Sequence, residues 1–209
     1  MQLTLTRTVL IFVMVLSLLS MGYSKNSEDP WLMMSQAVEK GFIPNEEIAL
    51  SIAREILSVV YNPSFIDDTT YTVVSEKRQL DEVWNIYGVI SGDESEDLQL
   101  LVVLERYSGR IIGVTNFTQH QSDYSPFLIR SSKKGYITTK ALASRLAELF
   151  LKQFYGDAFQ SQTPLKVKLK DGIWYINGSG KANSPFGTAM IKIRQSDGAV
   201  LGFRHYQIT

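Results

Sequence analysis

The chain has 209 residues, of which 44% are hydrophobic and 20% are charged, the proportions of an ordinary globular protein rather than of a disordered chain or a polytopic membrane protein. It carries 21 basic and 21 acidic residues, so the overall charge gives no reason to expect a nucleic-acid partner. The lack of cysteine excludes disulfides, thiolate metal sites and cysteine nucleophiles, and two histidines leave little for a histidine metal site or a catalytic triad. We therefore expect neither a metal nor another cofactor.

Residues 1–24 have the features of a signal peptide. A basic residue precedes an apolar run over residues 9–19, and the small residues Gly22 and Ser24 suit cleavage before Lys25. The run is shorter than the roughly 20 residues that cross a bilayer. We predict a periplasmic or secreted mature chain with no membrane attachment after cleavage, and an uncleaved anchor is the alternative.

A first α+β module is predicted over residues 41–118, after an N-terminal segment (25–40) in which a short helix is possible. Its apolar side chains recur at helical spacing at Ile48, Ala49, Ile52, Ala53, Ile56, Leu57 and Val60. Pro44 suits the first turn of this helix, and Asn62 suits its end because asparagine tolerates a left-handed backbone. Four strands are predicted after the helix, with a corner at 77–81 and a third strand near 98–105.

The same order of elements returns in residues 135–209, which we predict to form a second module. Helical spacing covers residues 142–151, Thr138 or Thr139 can cap the start, and Gly156 suits the end. Between the modules, residues 119–134 are polar and without a clear period, so they are predicted to be a linker.

A hairpin opens the sheet of the second module. Asp171 and Gly172 form a strong two-residue turn signal, and a third and a fourth strand follow the hairpin. The strand before the turn alternates apolar residues, predicted to point inward, with lysines, predicted to point outward. The apolar residues are Leu165, Val167 and Leu169, and the lysines are Lys166, Lys168 and Lys170.

Ordered matches between the two modules indicate a duplication. The matched pairs are Gly41 with Gly135, Ile43 with Ile137, Trp84 with Trp174, Gly88 with Gly178, Gly109 with Gly198, and Gly113 with Gly202. Each module is small enough to bury only a modest core, so we expect the two to pack against each other. The tryptophans are predicted to lie in that core, and the glycines at 88 and 178 to permit a close backbone approach.

Three motifs of the second module resemble bacterial immunity proteins with an NTF2-like fold: Tyr155-Gly156 at the helix end, the strand Trp174–Gly178, and the final strand entered through Asp197-Gly198. The resemblance implies two tandem α+β modules, each with one helix packed on an antiparallel four-stranded meander (NTF2-like or cystatin-like). It also implies a protein that binds and neutralises a toxin. The first module departs from the pattern at Asn62, which stands in place of the glycine.

A second family, the PepSY domain, has a similar layout of a helix and a meander that ends in a turn. Its counterpart here is the run Ser108–Ile112. This resemblance implies a regulator or inhibitor of an extracytoplasmic peptidase.

The neutral total conceals two oppositely charged halves. Residues 41–128 hold five basic and fourteen acidic residues, a net charge of −9, whereas residues 130–209 hold thirteen basic and four acidic residues, a net charge of +9. The modules can attract each other within one chain, or each can present a charged face to a partner. For the second case, the predicted contact residues are Lys166, Lys168, Lys170, Asp93, Glu94, Glu96 and Asp97.

Each of these charged sets has a plainer interpretation. The four carboxylates lie in a loop without the alternation of a calcium site, so a solvated loop is favoured over a weak cation site. The lysine row can also protect an edge strand from pairing with other chains.

We predict an exported, non-catalytic protein that binds a toxin and blocks it sterically and electrostatically. One alternative is the PepSY-like regulator or inhibitor of a peptidase. The other is a small-ligand binder or an enzyme that uses the cone pocket of an NTF2-like fold, where an aspartate base and a polarising tyrosine could work together. No P-loop is present, and no convergent set of catalytic residues is apparent.

Overall fold

A computed structural model describes residues 39–59, 61, 63–79, 81–90, 98–118, 127–128, 135–180 and 187–206. The expected signal peptide, residues 1–24, and nearly all of the expected N-terminal segment, 25–40, lie outside these residues. Residues 39 and 40 are helical.

Helix α1, Glu46–Leu57, begins one turn into the first module. The Asn45 side chain accepts a hydrogen bond from the Ile48 backbone N–H at 3.0 Å and caps the helix. Pro44 therefore precedes the cap, and its prediction as a first-turn residue was wrong.

The end of α1 also differs from the prediction. The chain leaves the helix at Ser58, and a short helix α2, Pro63–Asp67, follows. Proline suits the first turn of a helix, where backbone N–H groups have no partner within the helix. It does not suit the interior, where its missing N–H would break a hydrogen bond of the helix. The apolar stripe alone could not distinguish one long helix from two.

The first sheet is an antiparallel meander of four strands, β1 (Thr70–Lys77), β2 (Glu82–Ile90), β3 (Leu98–Glu105) and β4 (Ile111–Thr118). A fifth strand, β5 (Phe127–Leu128), pairs with β4. These two residues lie in the stretch expected to be a linker, and two residues are too few to show a period of two.

The second module begins with helix α3, Lys140–Tyr155, capped by Thr139, whose hydroxyl accepts from the Leu142 N–H at 3.1 Å. A 3-10 helix, Gly156–Gln162, continues from it, as α2 follows α1 in the first module. The sequence analysis predicted neither short helix, because one or two turns carry no measurable apolar period.

The second sheet is a four-stranded antiparallel meander of β6 (Lys166–Lys170), β7 (Ile173–Asn177), β8 (Thr188–Arg194) and β9 (Val200–Tyr206). Asp171 and Gly172 form the β6–β7 turn, with φ of 50° and 72°. Positive φ at both central residues fits the hairpin turn that the sequence predicts. The α+β architecture of one main helix on a four-stranded meander, twice over, is confirmed.

One hydrophobic core serves both modules. The inner sides of α1 and α3 and the inward residues of both sheets belong to a single cluster. Phe42 of the first module makes edge-on ring contacts with Phe150 and Phe154 of α3, at centroid distances of 5.8 and 6.0 Å. The expected packing of one module on the other is therefore confirmed, and it enlarges a core that each module alone would build only in part.

A reciprocal pair of backbone hydrogen bonds ties the two meanders together at their last turns. The Ile111 N–H donates to the Asp197 carbonyl at 2.7 Å, and the Val200 N–H donates to the Ser108 carbonyl at 2.8 Å. Ile111 corresponds to Val200, and Ser108 to Asp197, in the alignment of the two modules. Each module thus completes the other's turn with the same groups.

The two sheets share an irregularity as well. The β3–β4 register shifts between Val103 and Leu104, and the β8–β9 register shifts between Lys192 and Ile193, the matching positions. A bulge is a specific feature of a strand pair. Its recurrence at matched positions shows that the modules agree in detail as well as in the order of their elements.

Candidate functional site

The inner faces of both sheets are occupied by the shared core, so each sheet has one face left for a partner. Side chains alternate between the two faces of a strand. The burial pattern of β8 is regular, with Ala189, Ile191 and Ile193 buried in the core. Residues 190, 192 and 194 therefore lie on the outer face.

The lysine row lies on the outer face of β6. Lys166, Lys168 and Lys170 are all exposed, and the register sets them opposite the outward residues of β7. Val167 is half-buried, as predicted. Leu169 is 40% exposed although it faces Trp174 across the strand pair, because it lies next to the hairpin turn at the edge of the core; its prediction as an inward residue overstated its burial.

Three further cations share this face. They are Lys192 and Arg194 on β8 and Arg204 on β9. Together with the three lysines of β6 they form what we call the basic face: Lys166, Lys168, Lys170, Lys192, Arg194 and Arg204. Strands β6–β9 contain no aspartate or glutamate.

Tyr175 lies in the middle of the basic face. It pairs in register with Lys168 on one side and with Lys192 on the other. The Lys192 ammonium lies 5.4 Å from the centroid of the Tyr175 ring, within cation–π distance. Tyrosine is one of the residue types enriched among the anchors of protein interfaces.

One cation of the basic face is partly neutralised. The Arg194 guanidinium pairs with the Asp197 carboxylate at 3.0 Å, and the other Asp197 oxygen accepts from the Ala199 N–H. Because Asp197 also shapes the β8–β9 turn, this pair is explained by the fold. The other five cations take part in no ion pair among the described residues.

The matching face of the first sheet is different. The positions equivalent to the six cations are Thr72, Val74, Glu76, Val103, Glu105 and Thr115. Exposed apolar side chains lie there instead, at Val74, Tyr87 and Val89. The same framework thus carries a cationic face in one module and a largely uncharged face in the other, so the shared fold does not require the cations.

The acidic loop predicted as a second contact set, Asp93, Glu94, Glu96 and Asp97, lies outside the described residues. It stays a prediction.

The tryptophans are core residues, as predicted. Trp84 and Trp174 are each 6% exposed, and their indole N–H groups donate to the Ile43 and Ile137 carbonyls, both at 2.8 Å. The two bonds are equivalent in the two modules. They hold the segment that precedes the main helix of each module against the second strand of its sheet.

Each module contains a matching hydrogen-bonded pair between a tyrosine and a polar side chain of a strand. In the second module the Tyr155 hydroxyl and His205 Nδ1 are 2.8 Å apart, and in the first module Asn116 Nδ2 donates to the Tyr61 hydroxyl at 3.1 Å. The positions match between the modules. The sequence analysis placed His205 in the last strand but did not pair it with Tyr155, because that contact depends on how α3 lies over β9.

Burial governs the titration of the second pair. It raises the pKa of Tyr155 well above its ordinary value of 10 and lowers the pKa of His205 below its ordinary value of 6.5. His205 Nε2 is buried, and it has no hydrogen-bond partner among the described residues.

Gln162 is a buried polar residue that the sequence analysis missed. Its amide nitrogen donates to the Gly187 carbonyl at 3.0 Å, and its amide oxygen accepts from the Ala189 N–H at 2.9 Å. At the start of β8 the Gln162 side chain thus makes the two hydrogen bonds that the backbone of a neighbouring strand would make. No pattern marks such a residue before the fold is known.

Two general findings concern the described residues only. No three histidine, aspartate or glutamate side chains come together there as a set of metal ligands. None of the helices there is long and apolar enough to cross a membrane.

A family match falls on the module that carries the basic face. Residues 142–207 match the family model described as NTF2 fold immunity protein. The immunity-family match runs from the first turn of α3 to the end of β9, and so includes all six cations, Tyr175 and the Tyr155–His205 pair.

Comparison with individual proteins adds little to the immunity-family match. A crystal structure of a candidate lipoprotein from Clostridium difficile 630 is similar at 11% sequence identity, covering 67% of this chain and 84% of that chain with a TM-score of 0.21. Among curated proteins, none matches the chain.

Proposed function

We propose that this protein is exported and acts as an immunity protein, which binds a toxin and neutralises it without turnover. The match of residues 142–207 to the NTF2 fold immunity family carries this proposal. Neutralisation is steric: the bound protein covers the active cleft of the toxin or a surface that the toxin needs. A stable complex of this kind requires a contact area of standard size, which the outer face of a four-stranded sheet can contribute.

The first module is proposed to be a second copy of the same unit. Equivalent features of the two modules support this proposal: the indole hydrogen bonds of Trp84 and Trp174, the matched register shifts, and the two tyrosine pairs. With two copies in one chain, one module can contact the toxin while the other stabilises the shared core.

The proposal that the protein is not an enzyme rests on its polar pairs. Tyr155 and His205 are hydrogen-bonded to each other, and burial accounts for the direction of both pKa shifts. The equivalent pair in the first module has asparagine in place of histidine, which supports a structural role common to the two modules.

The test is to capture a partner with the mature chain, from Lys25 onward, in extracts of its own host and to identify that partner by mass spectrometry. A toxin domain whose killing of cells is abolished by co-expression of this protein is the expected result. Capture of a peptidase would overturn the proposal in favour of a regulator, and a small molecule that copurifies in stoichiometric amount would indicate a ligand-binding role.

Export has its own measurement. The chain recovered from the host should begin at or near Lys25 and lie outside the cytoplasm. Retention of Met1 in the cytosolic fraction would contradict the proposed location and leave the binding function to be tested inside the cell.

A further inference from the structure

We infer that the basic face, with Tyr175 at its centre, is the surface that docks the partner, and that the partner presents an acidic protein surface. The inference rests on the proposed function and names the contact surface and partner chemistry for it. The lysine row by itself places positive charge on one edge strand, β6. In the structure the cationic surface extends to cations on β8 and β9.

Edge protection does not explain this arrangement. Lysines on an edge strand discourage pairing with other chains, and β6 is an edge of its sheet. Lys192, however, lies on β8, which is hydrogen-bonded to strands on both sides. A cation in the middle of a sheet protects no edge.

Stability does not explain the arrangement either. Like charges that share one face of a sheet repel each other. Lys168 and Lys192 lie on either side of Tyr175, two strand spacings or about 10 Å apart. Five of the six cations take part in no ion pair among the described residues. The other copy of the framework manages without such a set, so a partner that supplies the opposite charge explains it best.

The aromatic ring gives the surface an anchor. A partner that covers Tyr175 removes the Lys192 cation–π contact from water, and such contacts strengthen when water is excluded. The cations around the ring then form the polar rim that steers association.

An acidic protein is favoured over a nucleic acid. The chain as a whole is neutral, and residues 41–128 carry a net charge of −9, which repels a long polyanion that extends beyond the basic face. A folded partner with a local acidic patch meets the cations and avoids the first module.

The test uses the mature full chain and a fluorescent decaglutamate peptide as the probe, with fluorescence anisotropy as the readout. The face variant is Lys168→Gln/Lys192→Gln/Arg204→Gln. The matched control is Lys77→Gln/Arg110→Gln/Lys140→Gln, which removes the same charge from exposed residues elsewhere. If the first face variant has a clearly lower melting temperature than the wild type, measured by circular dichroism, a second face variant replaces it: Lys166→Gln/Lys168→Gln/Lys170→Gln.

We expect decaglutamate to bind at low ionic strength, to bind about tenfold more weakly to the face variant, and to bind the control nearly as well as the wild type. Binding should disappear at about 1 M salt, where the Debye length is about 3 Å. Equal weakening by face and control variants would overturn the inference, because it would show that only total charge matters.

Two other outcomes would also overturn it. A single-stranded DNA decamer that binds more tightly than decaglutamate, with the same sensitivity to the face variant, would indicate a nucleic-acid surface. Salt-sensitive oligomers of the wild type that the face variant abolishes would indicate that a second copy of the chain occupies the face. Failure of the capture experiment together with localised decaglutamate binding would overturn the immunity role and support the surface.

Discussion

The tryptophan of each module combines burial with one directed hydrogen bond. Trp174 belongs to the core between α3 and its sheet, and its indole N–H donates to the Ile137 carbonyl in the segment ahead of α3. The packing and the hydrogen bond can be separated by two substitutions.

We expect Trp174→Phe to lower the free energy of unfolding by about 1–3 kcal/mol, because the Ile137 carbonyl loses its donor in a dry environment. Trp174→Ala should cost on the order of 3–5 kcal/mol, because it also leaves a cavity. Denaturant unfolding measures both. Tyr175→Phe, one residue away on the outer face, is the control and should change stability by no more than ~0.5 kcal/mol.

His205 makes stability depend on pH. Its pKa in the folded protein is below its ordinary value of 6.5, so the unfolded chain binds more protons than the folded one as the pH falls past that value. Stability is therefore complete above pH 6.5 and declines below it. In the charged ring Nε2 becomes a buried donor without a partner among the described residues.

We expect the melting temperature to fall as the pH is lowered from 7.5 towards 5, and His205→Asn to flatten that part of the profile. Asparagine is the residue at the equivalent position of the first module, Asn116, and can still donate to the tyrosine hydroxyl. A variant whose pH profile matches that of the wild type would show that carboxylates, and not His205, govern acid sensitivity.

At the scale of single elements, Gln162 and Gly178 form one unit. A Cβ at residue 178 would clash with the Gln162 amide oxygen, and the Gln162 side chain is fully buried with hydrogen bonds from both its amide nitrogen and its amide oxygen. The strand glycine is thus required by a side chain from the 3-10 helix, as the expected close approach at Gly178 implied.

We expect Gly178→Ala to destabilise the protein by about 1–3 kcal/mol, because Gln162 must give up hydrogen bonds that stay buried. Gly202→Ala is the matched control, since a Cβ there meets no atom within 4 Å. Thermal melts of the two variants should differ clearly. Equal melting temperatures would mean that Gln162 finds another position at little cost.

Most strands and both main helices could be predicted from the sequence because each has a period that its burial imposes. The lysine row was predicted for the same reason, since alternation needs only one strand. Lys192 and Arg204 could not be added to it, because their place beside Tyr175 depends on register across three strand pairs. Short elements such as Pro63–Asp67 have too few residues to show a period. Pro44 was placed in the first turn of α1, but the helix begins after Asn45, whose side chain caps it.

At the scale of the whole molecule, the two modules form one folding unit. Phe42 packs on rings of α3, and the Ile111 and Val200 N–H groups each donate to a carbonyl of the other module. Removing one module would expose apolar surface of the other and leave one N–H and one carbonyl of the remaining module without their protein partners.

We expect the full chain to unfold in one cooperative transition and the isolated second module, residues 135–209, to lack fixed tertiary structure. Near-UV circular dichroism and denaturant titration measure this directly. A cooperative transition of the isolated module, with a near-UV signal like that of the intact protein, would show that the modules are independent domains.

The reciprocal hydrogen bonds between the last turns have a consequence for the surfaces of the two modules. Each module donates one backbone N–H to the other and accepts one from it, and the groups stand at matching positions in the two modules. A contact of that kind is isologous, and two identical single modules related by a two-fold axis could make it without any linker. Two modules joined in one polypeptide do not need identical surfaces. One half can therefore carry a cationic sheet face while the other carries a largely uncharged one, which a true homodimer could never do.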